Sequence, residues 1–418
     1  MRSAATRSRE NRFFNTTRGV LAGLALLAGT AAAAGTEGTE GTAGTEGAAG
    51  AVSPTAPASA PAPAAAATPA GAVPIRHVFL LVLENQSYGV TFGKQPPSAY
   101  LATTLRSQGA LLTHYYGIGH SSLPNYIALI SGQAPNTETQ GDCPVVTRFR
   151  LRRPELNQDG QALGKGCLYP PFVRTLPDQL EAAGLTWKGY MEDMGNDPAR
   201  ESATCGHSPV GAQEKSYVAA ANDKYAARHN PFVYFHGIID DQRRCDTHVV
   251  NLEVLKTDLK SVQTTPNYLF ITPNLCNDGH DDQCAGGGPG GFAAIDAFLR
   301  KWVPLILDSP AYRQDGLLII TFDESDSEGP DASTACCDEK PLPGERQKPG
   351  YNGPGGGRIG AVLLSRFIKP GTTSEVPYNH YSLLRWVEDQ FGLEPLGYAA
   401  PAGLRTFGAD VFTQTDQH

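Results

Sequence analysis

Residues 120–132, HSSLPNYIALISG, set two hydroxyls, Ser121 and Ser122, directly ahead of a short apolar segment. Pro124 suits the first position of a helix, where its missing N–H is not needed, and Gly132 suits the residue just past the last turn. The pattern predicts a helix over 124–131, with Ser122 at its N-terminus or one residue before it. Unpaired backbone N–H groups and the positive end of the helix dipole meet at that point. Serines so placed ordinarily cap the helix. The alternative is a nucleophile set where a phosphate can bind. Acids elsewhere in the chain bear on the choice.

Several apolar runs end abruptly in ionisable residues. HVFLLVL (77–83) leads into Glu84-Asn85, LTWKGYM (185–191) into Glu192-Asp193, YLFIT (268–272) into PNLCNDGHDD, and GLLIITF (316–322) into Asp323-Glu324. Near-continuous apolar runs suit parallel strands covered on both faces. RIGAVLLS (358–365) reads as one more strand. Helical patterns separate them: PPSAYLATTLRSQG, LPDQLEAAG, FAAIDAFLRKWVPLIL with a kink at Pro304, and HYSLLRWVEDQFG. The alternation predicts a doubly wound α/β sheet, whose ligand crevice lies outside the carboxyl ends of the strands. The acids fall at those ends, as does Ser122. Carboxylates gathered there repel one another, and a bound divalent cation would relieve the repulsion. Glu192-Asp193 reads as ordinary loop chemistry; Glu84-Asn85 and Asp323-Glu324, abutting the most apolar strands, are the stronger candidates.

Composition bounds the rest. The chain has 418 residues and a formal net charge of −8, with no basic stripe, so nucleic acid is not an expected partner. Arg148–Arg153, RFRLRR, reads as a solvated loop or strand face. Residues 1–34 combine five arginines, an apolar run and an A-x-A-like end, the pattern of a secretory signal cleaved near Ala34. Residues 35–73, rich in Gly, Thr and Glu and then in Ala and Pro, read as a disordered linker. Residues 74–413 form the expected catalytic domain. No segment is apolar enough for a stable membrane span, so a secreted protein is expected. The eight cysteines all follow residue 140. Their even number and irregular spacing point to disulfides rather than zinc, with Cys276–Cys284 a candidate pair. The glycine runs 285–291 and 353–357 read as mobile loops near the site entrance. They lack a phosphate-loop setting. Oligomeric state is left open.

LENQSYGVTFG (83–93) resembles the ENxS(F/Y)…FG opening of the bacterial phosphoesterase family, which includes acid phosphatases and phosphatidylcholine-preferring phospholipases C. HSSLPNYIALISG resembles its nucleophile segment. HNPFVYF (229–235), ITPNLCNDGHD (271–281), TFDES (321–325) and YNHYSLLRWVED (378–389) resemble its later blocks, in the family's order. The resemblance implies an alkaline phosphatase-like fold with a single catalytic domain. It implies Ser122 as nucleophile, and Glu84, Asn85, Asp323 and Glu324 as metal ligands. It places Asn230 near the phosphate, His280 and Asp281 in the block after the middle strand, and His380 ahead of the last helix. Asn230 and His280 are accordingly candidate catalytic residues, and Asp281 and His380 candidate ligands. His120 reads as a structural histidine.

Such a site would hydrolyse a phosphate ester. A cation (Ca, Mg, Mn or Zn) would neutralise the ester oxygens. Ser122 would form a phosphoseryl intermediate, while N–H groups at the helix start would donate to the non-bridging oxygens. The substrate is a small-molecule or lipid phosphate ester. A phosphomonoesterase of acid-phosphatase type is the leading expectation, since no stretch resembles the further domains of the larger phospholipases. A phospholipase C-type phosphodiesterase is the alternative, and an exported binding protein on an inactive scaffold a third. A sulfatase ranks low, because no C/S-x-P-x-R motif is present.

Overall fold

The computed structural model describes residues 73–344, 349–350 and 353–413. The expected signal segment, and all of the linker but Val73, lie outside them. The described residues form an eight-stranded sheet. Its strands are β1 (His77–Leu83), β2 (Ala110–Leu112), β3 (Trp187–Met191), β4 (Val249–Asn251), β5 (Tyr268–Thr272), β6 (Gly316–Phe322), β7 (Ala361–Leu364) and β8 (Thr372–Ser374). They lie in the order β8-β2-β7-β6-β1-β5-β3-β4. The run from β6 to β4 is parallel throughout, and only β7 runs antiparallel to its neighbours. Every residue of β1, β5 and β6 is buried, which is why these strands read as unbroken apolar runs rather than alternating ones.

Helices pack around this sheet: α1 (Ser122–Ser131), α2 (Leu176–Ala182), α3 (Gly291–Asp308) and α4 (His380–Phe391). The fold class is therefore the doubly wound, mostly parallel α/β arrangement expected from the sequence. Three local expectations need correction. Helix α1 begins at Ser122, so Pro124 sits at its third position, not its first. PPSAYLATTLRSQG folds as a wide-wound turn, Tyr100–Leu105, followed by a single α turn at Arg106–Gln108. The run 353–357 is packed rather than loose. A Cβ at Gly356 would lie 2.3 Å from the Gly119 carbonyl oxygen, and one at Gly357 1.9 Å from Ser325 Oγ. Glycine is needed there because the chain packs with no room for a side chain. Pro304 lies inside α3, which continues past it.

Strand register places the acids. Leu83 pairs with Phe322 across β1 and β6, so Glu84 and Asp323 leave adjacent strands side by side. The Asp323 N–H donates to the Leu83 carbonyl at 2.9 Å, and the Glu84 N–H to that of Asp278, on the segment after β5, at the same distance. The arginine run joins an exposed hairpin, Arg150–Leu156 with Ala162–Lys165. All eight cysteines pair: Cys143–Cys167, Cys205–Cys245, Cys276–Cys284 and Cys336–Cys337.

Candidate active site

Ser122 is the first residue of α1, but neither serine caps it with a side chain. The Ser121 hydroxyl donates to the Gln140 carbonyl at 2.7 Å. The Ser122 hydroxyl donates to Glu84 Oε2 at 2.8 Å. The backbone is bent to permit this: Ser121 has φ +75°, a conformation costly for a residue with a side chain. Asn125, one turn in, braces the bend. Its carbonyl oxygen accepts from Ile118 N–H at 2.9 Å and Gly119 N–H at 3.2 Å, and its amide donates to the Gly119 and Ser121 carbonyls at 2.8 and 2.9 Å. The Ser122 side chain is thereby turned off its own helix and onto the end of β1.

Glu84 is the hub. Its other oxygen, Oε1, accepts from the Tyr126 hydroxyl at 2.7 Å and lies 3.3 Å from His229 Nε2. His229 stacks on Tyr126 with ring centroids 5.2 Å apart, and its Nδ1 is 3.1 Å from Asp278 Oδ2. Asp323 accepts the Asn85 backbone N–H at 3.0 Å through Oδ1, while its Oδ2 is buried without a hydrogen-bond partner. Burial, then the charges of Asp323 and Asp278, hold the Glu84 carboxyl well above the ordinary carboxylate range. Burial first pushes Asp323 up to about 7 and raises Asp278 strongly. His229 is driven well below the usual histidine value by burial, then by its neighbours Arg228 and His280.

These acids are too close together, and too dry, to be fully ionised without a compensating cation. The orphaned Asp323 Oδ2 and the oxygen-rich surroundings suit a hard divalent ion. Among the described residues, no set of three or more His, Cys, Asp or Glu side chains is spaced to hold a metal as it stands.

The other expected residues fall less neatly. Glu324 is buried and paired with His120 Nδ1, whose Nε2 is 3.0 Å from the Ala332 carbonyl oxygen. His120 is thus an anchor, as expected, and Glu324 is engaged by it rather than directed at Asp323. Asn85 has φ +56° and contributes its backbone N–H. His380 spends both ring nitrogens on the protein. Nε2 is 2.6 Å from the Asp323 carbonyl oxygen and Nδ1 is 3.1 Å from the Tyr115 hydroxyl, so it braces Asp323 from behind. Burial lowers it to about 4. Asn230 donates to the Tyr225 hydroxyl at 2.8 Å, leaving its Oδ1 buried without a partner. Asp281 holds His280 Nδ1 at 2.8 Å on the wall of a cleft, and it is Asp278, from the same block, that lies beside His229. Glu192 and Asp193 serve loop structure, bonding Asn274 and Asn277.

One expectation fails on geometry. The N–H groups at the start of α1 are already taken, because Leu123 N–H donates to Asp142 Oδ1 at 2.9 Å and Ser122 N–H to the same carboxylate. Asp142, not expected from the sequence, lines a cleft and stands beside Ser122. Sequence reasoning also passes over Tyr126, His229, Asp278 and Arg228. The first three lie inside the family-like blocks, but only their side-chain directions mark them out. The cleft has a volume of 610 Å³, with Arg228, His280 and Asp281 on its wall and Tyr217 and Val218 at its lip.

Comparison with known proteins gives the family. The Phosphoesterase family matches residues 95–394. The phosphate-repressible acid phosphatase of Penicillium chrysogenum is 27% identical over 296 residues, 70% of this chain and 54% of that protein. The phosphatidylinositol-3-phosphatase of Mycobacterium tuberculosis is 27% identical over 329 residues, 78% of this chain and 80% of that protein. The match spans about half the length of the fungal acid phosphatases. A protein in the alkaline phosphatase superfamily from Vibrio parahaemolyticus superposes with a TM-score of 0.44 and 11% identity, covering 78% of this chain and 69% of that one, a likeness too loose to carry an argument. With strand-end acids, a bent serine and the blocks between them all inside or beside one matched span, the chain belongs to the phosphoesterase family.

Proposed function

We propose that this protein is an exported, metal-dependent phosphomonoesterase of acid-phosphatase type that works through a phosphoserine at Ser122. The observation that carries the reading is the 2.8 Å bond from Ser122 Oγ to Glu84 Oε2, made by a serine that does not cap its own helix. Glu84 orients the hydroxyl and stands where its proton must go when Oγ attacks phosphorus. The Tyr126 hydroxyl fixes the Glu84 carboxyl in turn, with His229 Nε2 3.3 Å from it and without a hydrogen-bond partner. Glu84 and Asp323, with Asp278 and His229 beside them, would hold the cation, and when bound it would neutralise the ester oxygens and favour the serine alkoxide. Asn85 and Glu324 flank that position as further candidate ligands. His280 Nδ1 faces Asp281, and its Nε2 faces Arg228 at 3.1 Å, so Nε2 carries the lone pair. That tautomer suits a base that takes a proton from the water attacking the phosphoserine once the Arg228 N–H has turned from Nε2 to the substrate oxygens. Four disulfides support an exported protein.

The cleft lip favours a second reading in part. Val218 and Tyr217 are 72% and 37% exposed, an apolar edge that a lipid chain could touch. A phospholipase C-type diesterase would use the same nucleophile. The mycobacterial relative is named for a monoester on a lipid, which joins the two features. Hydrolysis of p-nitrophenyl phosphate, bis-p-nitrophenyl phosphate and a phosphocholine ester, with and without chelator, separates these readings. The monoester should turn over fastest, lose activity with chelator and regain it with excess divalent ion. A faster diester rate would favour the phospholipase reading. No turnover of any ester with added metal would favour a binding protein.

A further inference from the structure

Arg228 is a buried cation that makes no direct ion pair among the described residues. The residue is only 5% exposed, yet among the described residues no carboxylate lies within ion-pair distance of it. Its hydrogen bonds go to the Tyr217 carbonyl at 2.7 Å and His280 Nε2 at 3.1 Å, neither of them an anion, and its guanidinium carbon lies 5.3 Å from the Tyr217 ring centre. The carboxylates of Asp142, Asp278 and Glu84 act on it only from beyond hydrogen-bond distance, and a guanidinium removed from water with no anion in direct contact is unfavourable. The position is therefore built for an anion that arrives from the cleft, whose wall Arg228 forms. That cleft reaches the start of α1 through Asp142, which lines it. His229, the next residue, contacts Glu84, and Asp142, across the cleft, holds the first N–H groups of α1.

We propose that Arg228 is the group that grips the non-bridging oxygens of the substrate phosphoryl and selects doubly charged monoesters over diesters, an inference that rests on the phosphoesterase reading above. Two features of the chemistry lead there. The helix N-terminus, the usual seat of a phosphate, is occupied by Asp142, so the donors must come from elsewhere. A guanidinium offers parallel N–H groups that match two phosphoryl oxygens at once. A monoester presents three such oxygens and two charges. A diester presents two oxygens and one charge, and its second ester group occupies the space that the fork would need. His280, hydrogen-bonded to Arg228, then lies beside the bound phosphoryl, where a water-activating base belongs.

The test is steady-state kinetics of the whole protein and its R228M and R228K variants on p-nitrophenyl phosphate and bis-p-nitrophenyl phosphate, together with inhibition by inorganic phosphate. R228M should lose about 10²-fold in kcat/KM on the monoester, the size expected for one preorganised donor group, and less than about threefold on the diester. Phosphate inhibition should weaken about tenfold. R228K should recover part of both losses, since it keeps the charge without the fork. An unchanged monoester-to-diester ratio together with unchanged phosphate inhibition would overturn the assignment. Where the diester is not turned over at all, phosphate inhibition decides. If R228M fails to fold by circular dichroism, R228K decides alone, and an unaltered ratio in it overturns the proposal. A wild-type protein inactive on both esters would instead sink the enzyme reading. Calorimetric binding of inorganic phosphate would then decide for Arg228: binding lost in the variant supports the grip, and equal binding refutes it.

Discussion

At the scale of single residues, the site turns on one hydroxyl held by one carboxylate. Ser122→Ala should cut turnover of p-nitrophenyl phosphate by about 10³-fold or more while leaving the circular dichroism spectrum unchanged, because the substitution removes little beyond the Oγ hydrogen bond to Glu84. A mutant of near wild-type rate would remove the nucleophile. Tyr126→Phe is a subtler probe. It deletes the 2.7 Å bond to Glu84 Oε1 and leaves the ring stack on His229, so kcat should fall by about tenfold with KM little changed. A raised KM with kcat unchanged would mean the hydroxyl serves binding rather than the orientation of Glu84. Ser122, Glu84 and Asp323 were legible in the sequence because each directly abuts a helix start or an apolar strand. His229, Asp278 and Arg228 were not. Nothing in HNP or CNDGHDD says which of the neighbouring polar residues turns inward; that depends on irregular backbone between elements. The sequence pattern points to Asn230 and Asp281, and the fold brings their neighbours His229 and Asp278 to Glu84.

At the scale of elements, α1 and the turn before it do the positioning. All ten residues of α1 are buried, and Gly132 ends it with φ +65°. A Cβ there would also sit 2.2 Å from the Leu396 carbonyl oxygen. Gly132→Ala should therefore destabilise the protein by about 1–3 kcal/mol in denaturant unfolding. Asn125→Ala strands the Ile118 and Gly119 N–H groups in the interior, costing about 2 kcal/mol. It should also lower kcat, since the bend that aims Ser122 loses its brace; a stability loss with full activity would show that the bend holds without it. The strands were easy to read because burial on both faces leaves only apolar residues in them. The start of α1 was harder. A proline normally marks the first turn, but here the helix opens two residues ahead of it, because the Ser122 and Leu123 N–H groups are satisfied by Asp142, far enough along the chain to leave no local signal.

At the scale of the whole molecule, buried acids set the response to pH. Burial pushes Glu388, on α4, up to about 9, against an ordinary value of 4.5, and Glu201 up to about 8. Both remain protonated in the folded chain over a range where the unfolded chain has ionised. Above the unfolded value the folded state therefore binds more protons, and stability falls as pH rises, from about 4.5 until the folded groups themselves ionise. Thermal unfolding should occur at a higher temperature near pH 5 than near pH 8 (both approximate). Glu388→Gln, which can still accept the Leu396 N–H, should flatten that slope. A slope unchanged in the variant would remove Glu388 from the account.

The central claim is that Ser122 carries the phosphoryl group between substrate and water. Its most direct test is rapid acid quenching of the protein during turnover of a phosphate monoester, followed by digestion and mass spectrometry. The account predicts one phosphoryl group, on the peptide containing Ser122, and none in Ser122→Ala. A phosphoryl group on another residue, or turnover with no phosphorylated peptide at any quench time while phosphoserine standards survive the same treatment, would contradict it.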